Sequence, residues 1–178
     1  MTAAAAPVAV IDLVTSLLEA TVNSVFRFIA NGSPYLSRAT VEVRRPLQEM
    51  TAANHRRAAE LARLVESIGG TPTVRAATRS EEQYLAYLSL KFLLPKLVDE
   101  KRLCVQRYEN ALDGVKHLPR VPDEVPAMLN AHLGEQRAEL AALETAAAHV
   151  AANKNGHKDP SQPARGTKRG SDAGPSAG

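Results

Sequence analysis

Apolar residues return every three or four positions through four long stretches of this chain, with turn-forming residues between them. That period matches the turn of an α-helix and argues for four amphipathic helices. The first is predicted over 8–30 and closes at Asn31, Gly32, Ser33 and Pro34, because Asn and Gly tolerate a left-handed cap and Pro cannot continue the ladder. The second is predicted from near 35 to 68 and stops at Gly69, Gly70, Thr71 and Pro72. Pro46 falls inside it; a kinked helix through Pro46 is expected, since Val41, Val43 and Leu47 would otherwise sit in a long structureless loop. The third is predicted over 80–112, with Ser80 as N-cap, Glu81 and Glu82 in the first turn, and a kink at Pro95. The fourth begins near Asp123, with Pro126 in its first turn, and runs to about 152.

The stripes name a core. The second helix offers Leu47, Met50, Asn54, Leu61, Leu64 and Ile68. The third offers Tyr87, Leu90, Leu94, Leu97, Cys104, Tyr108 and Leu112, and the fourth Leu129, Leu133, Gln136, Leu140 and Leu143. The first helix is apolar on more than one face, from Leu13, Val14, Leu17 and Leu18 to Val25, Phe26 and Ile29. Such a helix is either deeply buried or covers a second surface, and the second case implies a homodimer or higher homo-oligomer.

Loop lengths bear on topology. The first link is short and predicts antiparallel neighbours. The link over 69–79 is about eleven residues and reaches ~35 Å when extended. A helix of ~22 residues is ~33 Å long. That link therefore just spans an antiparallel four-helix bundle as a long crossover. The link over 113–122 is also long, which leaves the up-up-down-down arrangement open.

Composition changes this picture in few places. Aromatics are 4% and Trp is absent, so a stacking platform for nucleobases is not expected. The single cysteine, Cys104, lies in a helical stretch with no ligand spacing around it and reads as a small core residue. The net charge of +3 is carried by residues 153–178, which contain Lys154, Lys158, Arg165, Lys168 and Arg169 against Asp159 and Asp172. That segment is rich in Gly, Pro and Ser without apolar periodicity, so it reads as a disordered basic tail after a bundle over 8–152. Dispersed cations of this kind give weak phosphate contacts at most, and nucleic acid is expected only weakly, through the tail. The opening residues carry no Lys or Arg, so the charged region of a signal peptide is missing. The apolar stretch that follows is broken by Asp12, Thr15 and Ser16 and is too polar to span a membrane. The expected location is cytoplasmic. No phosphate loop, paired-cysteine motif or nucleophile elbow is present.

What remains is a set of polar residues on the apolar stripes. Glu19 shares a face with Val22 and Phe26, and Glu100 lies between Leu97 and Cys104. Asn54 stands on the second stripe three residues before Arg57, and Gln136 on the fourth three residues before Glu139. A carboxylate on such a face is costly unless it meets a cation, shares a proton or binds a metal. One reading is a buried polar layer of Glu19, Asn54, Arg57, Glu100, Gln136 and Glu139, with Arg57 or Arg137 pairing Glu19, Glu100 or Glu139. The other is a rearranged metal site for iron from Glu19, Glu100, Glu139 and His55. A variant of it takes Glu19, His55 and Glu100 with His132 or Glu135. It needs His55 to face inward, against the stripe of Met50, Leu61 and Ile68. Glu19 and Glu100 also stand near enough to the stripe edges that a small helix rotation puts them in water.

The stretch EMTAANHRRAAELARLVESIGGTP, residues 49–72, resembles the second helix and exit turn of ferritin-like bacterial proteins. LLPKLVDEKRLCVQRYENAL resembles their third helix, HLGEQRAELAALE their fourth, and the Glu19-to-Phe26 spacing that of their first. The resemblance covers about residues 8–150 and lies nearest the uncharacterised branch of that superfamily. It implies an all-α bundle with one long crossover and, in active members, a carboxylate-bridged di-iron site. Glu19 and Glu100 match that family's single glutamates. Asn54-x-x-Arg57 and Gln136-x-x-Glu139 stand where two Glu-x-x-His motifs belong and do not match them. The expectation is a bundle without the usual di-iron ligands and with no cofactor, acting as a structural or protein-interaction module, with enzyme activity left open; the alternative is a metal-binding member that oxidises or stores iron at the rearranged carboxylate and histidine site.

Overall fold

A computed structural model describes residues 7–26, 29, 41–75 and 88–152. Among the described residues the chain is all-helical, with no strand: α1 (Val8–Val22), α2 (Val41–Ser67), α3 (Leu90–Lys116) and α4 (Glu124–Ala152). The arrangement is consistent with a four-helix bundle. The expected first turn at Ser80, the start of the second helix near 35, the turn at 31–34 and the tail over 153–178 all lie outside the described residues. No helix among the described residues is long and apolar enough to cross a membrane.

Helix α1 stops at Val22, short of the expected 30. Asn23 has φ −88° and ψ 12°, and its amide donates to the Glu19 carbonyl. There the side chains of Asn23 and Ser24 bond backbone groups in place of the ladder. The Ser24 hydroxyl accepts from the Phe26 amide at 3.4 Å, and the Asn23 side-chain amide reaches the Arg75 carbonyl at 2.8 Å. Val25, Phe26 and Ile29 are nonetheless buried, so the apolar pattern survives the break.

Helix α2 runs through Pro46 and ends in a Schellman cap. Gly70 N–H donates to Val65 O at 2.8 Å and Gly69 N–H to Glu66 O at 3.1 Å. Gly69 has φ 87°, a conformation that costs a side-chain-bearing residue about 1 kcal/mol or more. Gly70 must also stay small, since an added Cβ would stand 2.6 Å from Ile11 Cγ2.

Helix α3 starts at Leu90, with Ser89 as its extended N-cap. Pro95 then lies early in the helix, where its missing N–H removes one ladder bond. The helix also continues past 112 to Lys116, which shortens the link to α4.

The most extensive packing is α3 on α4, then α1 on α2, then α2 on α4, with a smaller contact between α1 and α3. Two apolar clusters result. One joins Val10 and Val14 of α1, Leu61, Val65 and Ile68 around the end of α2, Ala111 and Val115 of α3, and Val125 and Leu129 of α4. The other joins Phe26 and Ile29, Val43 and Leu47 of α2, Leu94 and Leu97 of α3, and Leu143 and Ala146 of α4. Each fully buried Leu or Val contributes roughly 1.5–3 kcal/mol, so these clusters supply the stability. Between them, at mid-length, lie the buried polar side chains.

Candidate functional site

Helix α2 carries Arg57 on the stripe defined by Met50, Asn54 and Leu61, so packing buries the guanidinium completely, at 0% exposure. Unpaired, such a charge would be untenable. Helix α4 answers with Glu139: Arg57 Nη1 donates to Oε1 at 2.8 Å and Nη2 to Oε2 at 2.9 Å, a two-point fork. Nη1 also donates to Glu135 Oε2 at 2.9 Å. Arg56 holds the same Glu135 oxygen from the surface at 2.6 Å. Arg57 Nε is buried without a partner among the described residues.

Helix α3 brings a second cation to the same carboxylate. Lys101 is also 0% exposed, and its Nζ donates to Glu139 Oε2 at 2.6 Å and to Gln136 Oε1 at 2.8 Å. Its third direction faces the Phe26 ring, 4.2 Å from the centroid. Lys101 thus spends its donor capacity within the protein.

Charge states follow from these contacts. Burial pulls on the Arg57 guanidinium, but the bonds and charge of Glu139, with Glu135, outweigh it and raise its pKa above the usual value. For Lys101 burial prevails, and its pKa is lowered against the pull of Glu139. The difference is chemical: Arg57 shares its charge over a planar fork matched to a carboxylate, whereas an ammonium loses more hydration on burial. The Glu135 carboxyl, resisted by partial burial, is held below its usual value by Arg57 and Arg56.

Two further groups extend the layer. Asn54 Nδ2 donates to the Thr21 carbonyl at 3.1 Å. That carbonyl lies in the last turn of α1, where it also accepts the Ser24 amide at 3.3 Å, so Asn54 acts as an added cap from a neighbouring helix. On the other side His132 bridges Glu60 and Tyr108, with Nε2 to Glu60 Oε2 at 2.8 Å and Nδ1 to Tyr108 Oη at 3.2 Å. Burial lowers the His132 pKa, against the pull of Glu60, and pushes Tyr108 up to about 12. The neutral imidazole therefore carries its proton on Nε2, donates it to the carboxylate, and accepts the phenol proton at Nδ1.

The sign of the resulting pH dependence is fixed. With the folded pKa depressed, the unfolded chain binds the proton first as pH falls. Stability is complete above about pH 6.5 and is lost as pH falls toward the folded value. The groups facing His132 are Glu60, Tyr108, Arg57 and Glu135. The urea midpoint is expected to drop between about pH 7.5 and pH 5.5, and the drop to shrink in His132→Gln. An equal drop in that variant would assign it to other groups.

The residues expected from the pattern divide. Asn54, Arg57, Gln136 and Glu139 stand together in the layer. Glu19 and Glu100 are half-buried outside it, and no hydrogen bond or ion pair joins either to it. Helix α3 turns Lys101, one residue on, into the centre instead. His55 is exposed, and Arg137 pairs with Glu109 at the surface at 2.7 Å. Lys101 was not anticipated, and His132, weighed above only as a metal ligand, stands between Glu60 and Tyr108 instead. The signal was present: Leu94, Leu97, Lys101, Cys104 and Tyr108 alternate by three and four, as do Leu129, His132, Gln136, Glu139 and Leu143. Burial raises the Cys104 pKa, which favours the protonated thiol.

Among the described residues no three His, Cys, Asp or Glu side chains converge as a metal-holding group. The residues do not fit a di-iron centre. Two fixed cations, Arg57 and Lys101, occupy the layer, and Glu139, the carboxylate they share, already binds both. No family model matches this chain, and no curated protein or solved structure matches it either.

Proposed function

We propose that this chain is a ferritin-like four-helix bundle whose centre is closed by its own ion pairs, and that it acts as a structural or protein-interaction module without iron chemistry. The observation that carries this reading is the pair of fully buried cations, Arg57 and Lys101, bonded to one carboxylate, Glu139. In a di-iron protein the same space needs net negative charge, because hard cations are bound by bridging carboxylates. Here the positive charge is built in as side chains.

The topology of the proposal has its own support. The start of α1 shares a cluster with the ends of α2 and α3 and the start of α4. The starts of α2 and α3 share the other with the end of α4. Such sharing suits α1 and α2 running antiparallel, α3 and α4 likewise, and a crossover joining α2 to α3. The Asn23 bond to the Arg75 carbonyl fits a chain leaving Gly70, beside Ile11, and running along α1. The homo-oligomer in the proposal draws on Phe92 and Leu103, exposed at 56% and 45%, eleven residues apart on one face of α3. A cytoplasmic location is part of the same reading.

Iron analysis of protein purified from iron-supplemented cells tests it. The expected content is far below one iron per chain, unchanged in Glu139→Gln. Near-stoichiometric iron that disappears in Glu139→Gln would overturn the reading.

A further inference from the structure

Helices α1 and α3 pack against each other far less closely than α3 packs on α4 or α1 on α2, and a groove of about 660 Å³ opens between them. That volume lies within the range of ~300–1,000 Å³ seen for small-molecule sites. The groove is amphipathic. Leu13, Leu17 and Ala111 supply apolar wall, while Glu19, Arg75 and Arg107 supply charge.

Some surface charges pair with a neighbour, as Arg102 does with Glu144 and Arg137 with Glu109, both at 2.7 Å. Those lining the groove do not. Among the described residues no hydrogen bond or ion pair engages the side chain of Glu19, Arg75 or Arg107. The Arg75 backbone is tied to the end of α1 by Asn23, which fixes where its side chain leaves the rim. Two guanidiniums against one carboxylate leave the groove net positive. Guanidiniums recognise carboxylate and phosphate groups through paired N–H donors.

The groove also has a polar inner end. Leu17, Ala20 and Arg107 line both it and a small void of about 10 Å³. Thr21, Asn54, Tyr108 and Gln136 close that void. Arg107 therefore stands between the open groove and the central layer.

We propose that the groove between α1 and α3 binds a small organic anion, its carboxylate or phosphate head held by Arg75 and Arg107 and its short apolar body lying on Leu13, Leu17 and Ala111. This goes beyond the metal-free reading of the centre and does not rest on it. Leu methyl and Arg side-chain resonances of the full chain report binding in NMR titrations with octanoate, octyl phosphate and octyltrimethylammonium. Saturable shifts at Leu13, Leu17 and Arg107 with either anion are expected, and whichever anion binds tighter identifies the head group. The Arg75→Gln/Arg107→Gln double variant changes two exposed side chains; with its dispersed spectrum retained, it should bind the anion about tenfold more weakly. No saturable shift with either anion, equal binding of the cation, or unchanged affinity in the double variant would each overturn the proposal.

Discussion

Glu139→Gln is expected to lower the unfolding free energy by about 3–5 kcal/mol, read as a fall in the urea midpoint at unchanged slope. The substitution keeps the shape of the side chain and removes its charge. Arg57 and Lys101 are both fully buried, and Glu139 is the carboxylate they share. Glu135 alone then faces Arg57, from a position 41% exposed and already engaged by Arg56. Lys101 is left with a neutral amide and the Phe26 ring. An uncompensated buried ammonium is the larger part of the cost, since burial already lowers its pKa. Adding Lys101→Met removes that orphan. The double variant should therefore recover about 1–3 kcal/mol of the loss, a non-additive result of the kind shared networks give. A loss under about 1 kcal/mol in the single variant would mean that water screens the layer as it does a surface pair.

Phe26→Ala is the second large effect, about 3–5 kcal/mol, because a fully buried aromatic leaves a cavity in the cluster with Leu47, Leu94 and Leu143. Volume is not its whole role. The ring face lies 4.2 Å from Lys101 Nζ and takes the third donor direction of that ammonium. Phe26→Leu conserves most of the apolar volume and removes the ring, so it isolates the cation–π part, about 0.5–2 kcal/mol. The same variant in a Lys101→Met background should cost less, as the ring then faces no charge. Equal costs in both backgrounds would reduce Phe26 to a space-filling residue.

Much of this was legible in the pattern of residues. The four helical stretches, the passage of α2 through Pro46 and the stop at Gly69 and Gly70 follow from short-range chemistry. So does the inward placement of Asn54, Arg57, Gln136 and Glu139. Two of the expected boundaries moved. α1 breaks at Asn23, where side-chain bonds to Arg75 and Phe26 compete with the ladder, and only one of those partners is near in sequence. α3 runs on to Lys116, past the expected end at 112, while the expected start at 80 lies outside the described residues. The choice between Glu100 and Lys101 shows the limit most clearly. Successive helical positions differ by about 100° in direction, so a small rotation exchanges an inward carboxylate for an inward ammonium.

The order of residues along the chain by itself determined the helical class, the approximate helices and the presence of polar groups on apolar faces. Periodicity and capping act within a few residues, and they can be read there. Only the tertiary structure decided which charges meet: that Glu139 of α4 takes both Arg57 of α2 and Lys101 of α3, while Glu19 and Glu100 stay outside. The physical reason is that an ion pair between helices depends on the rotation and axial register of each. Those are set by the two apolar clusters acting together across residues far apart in the chain.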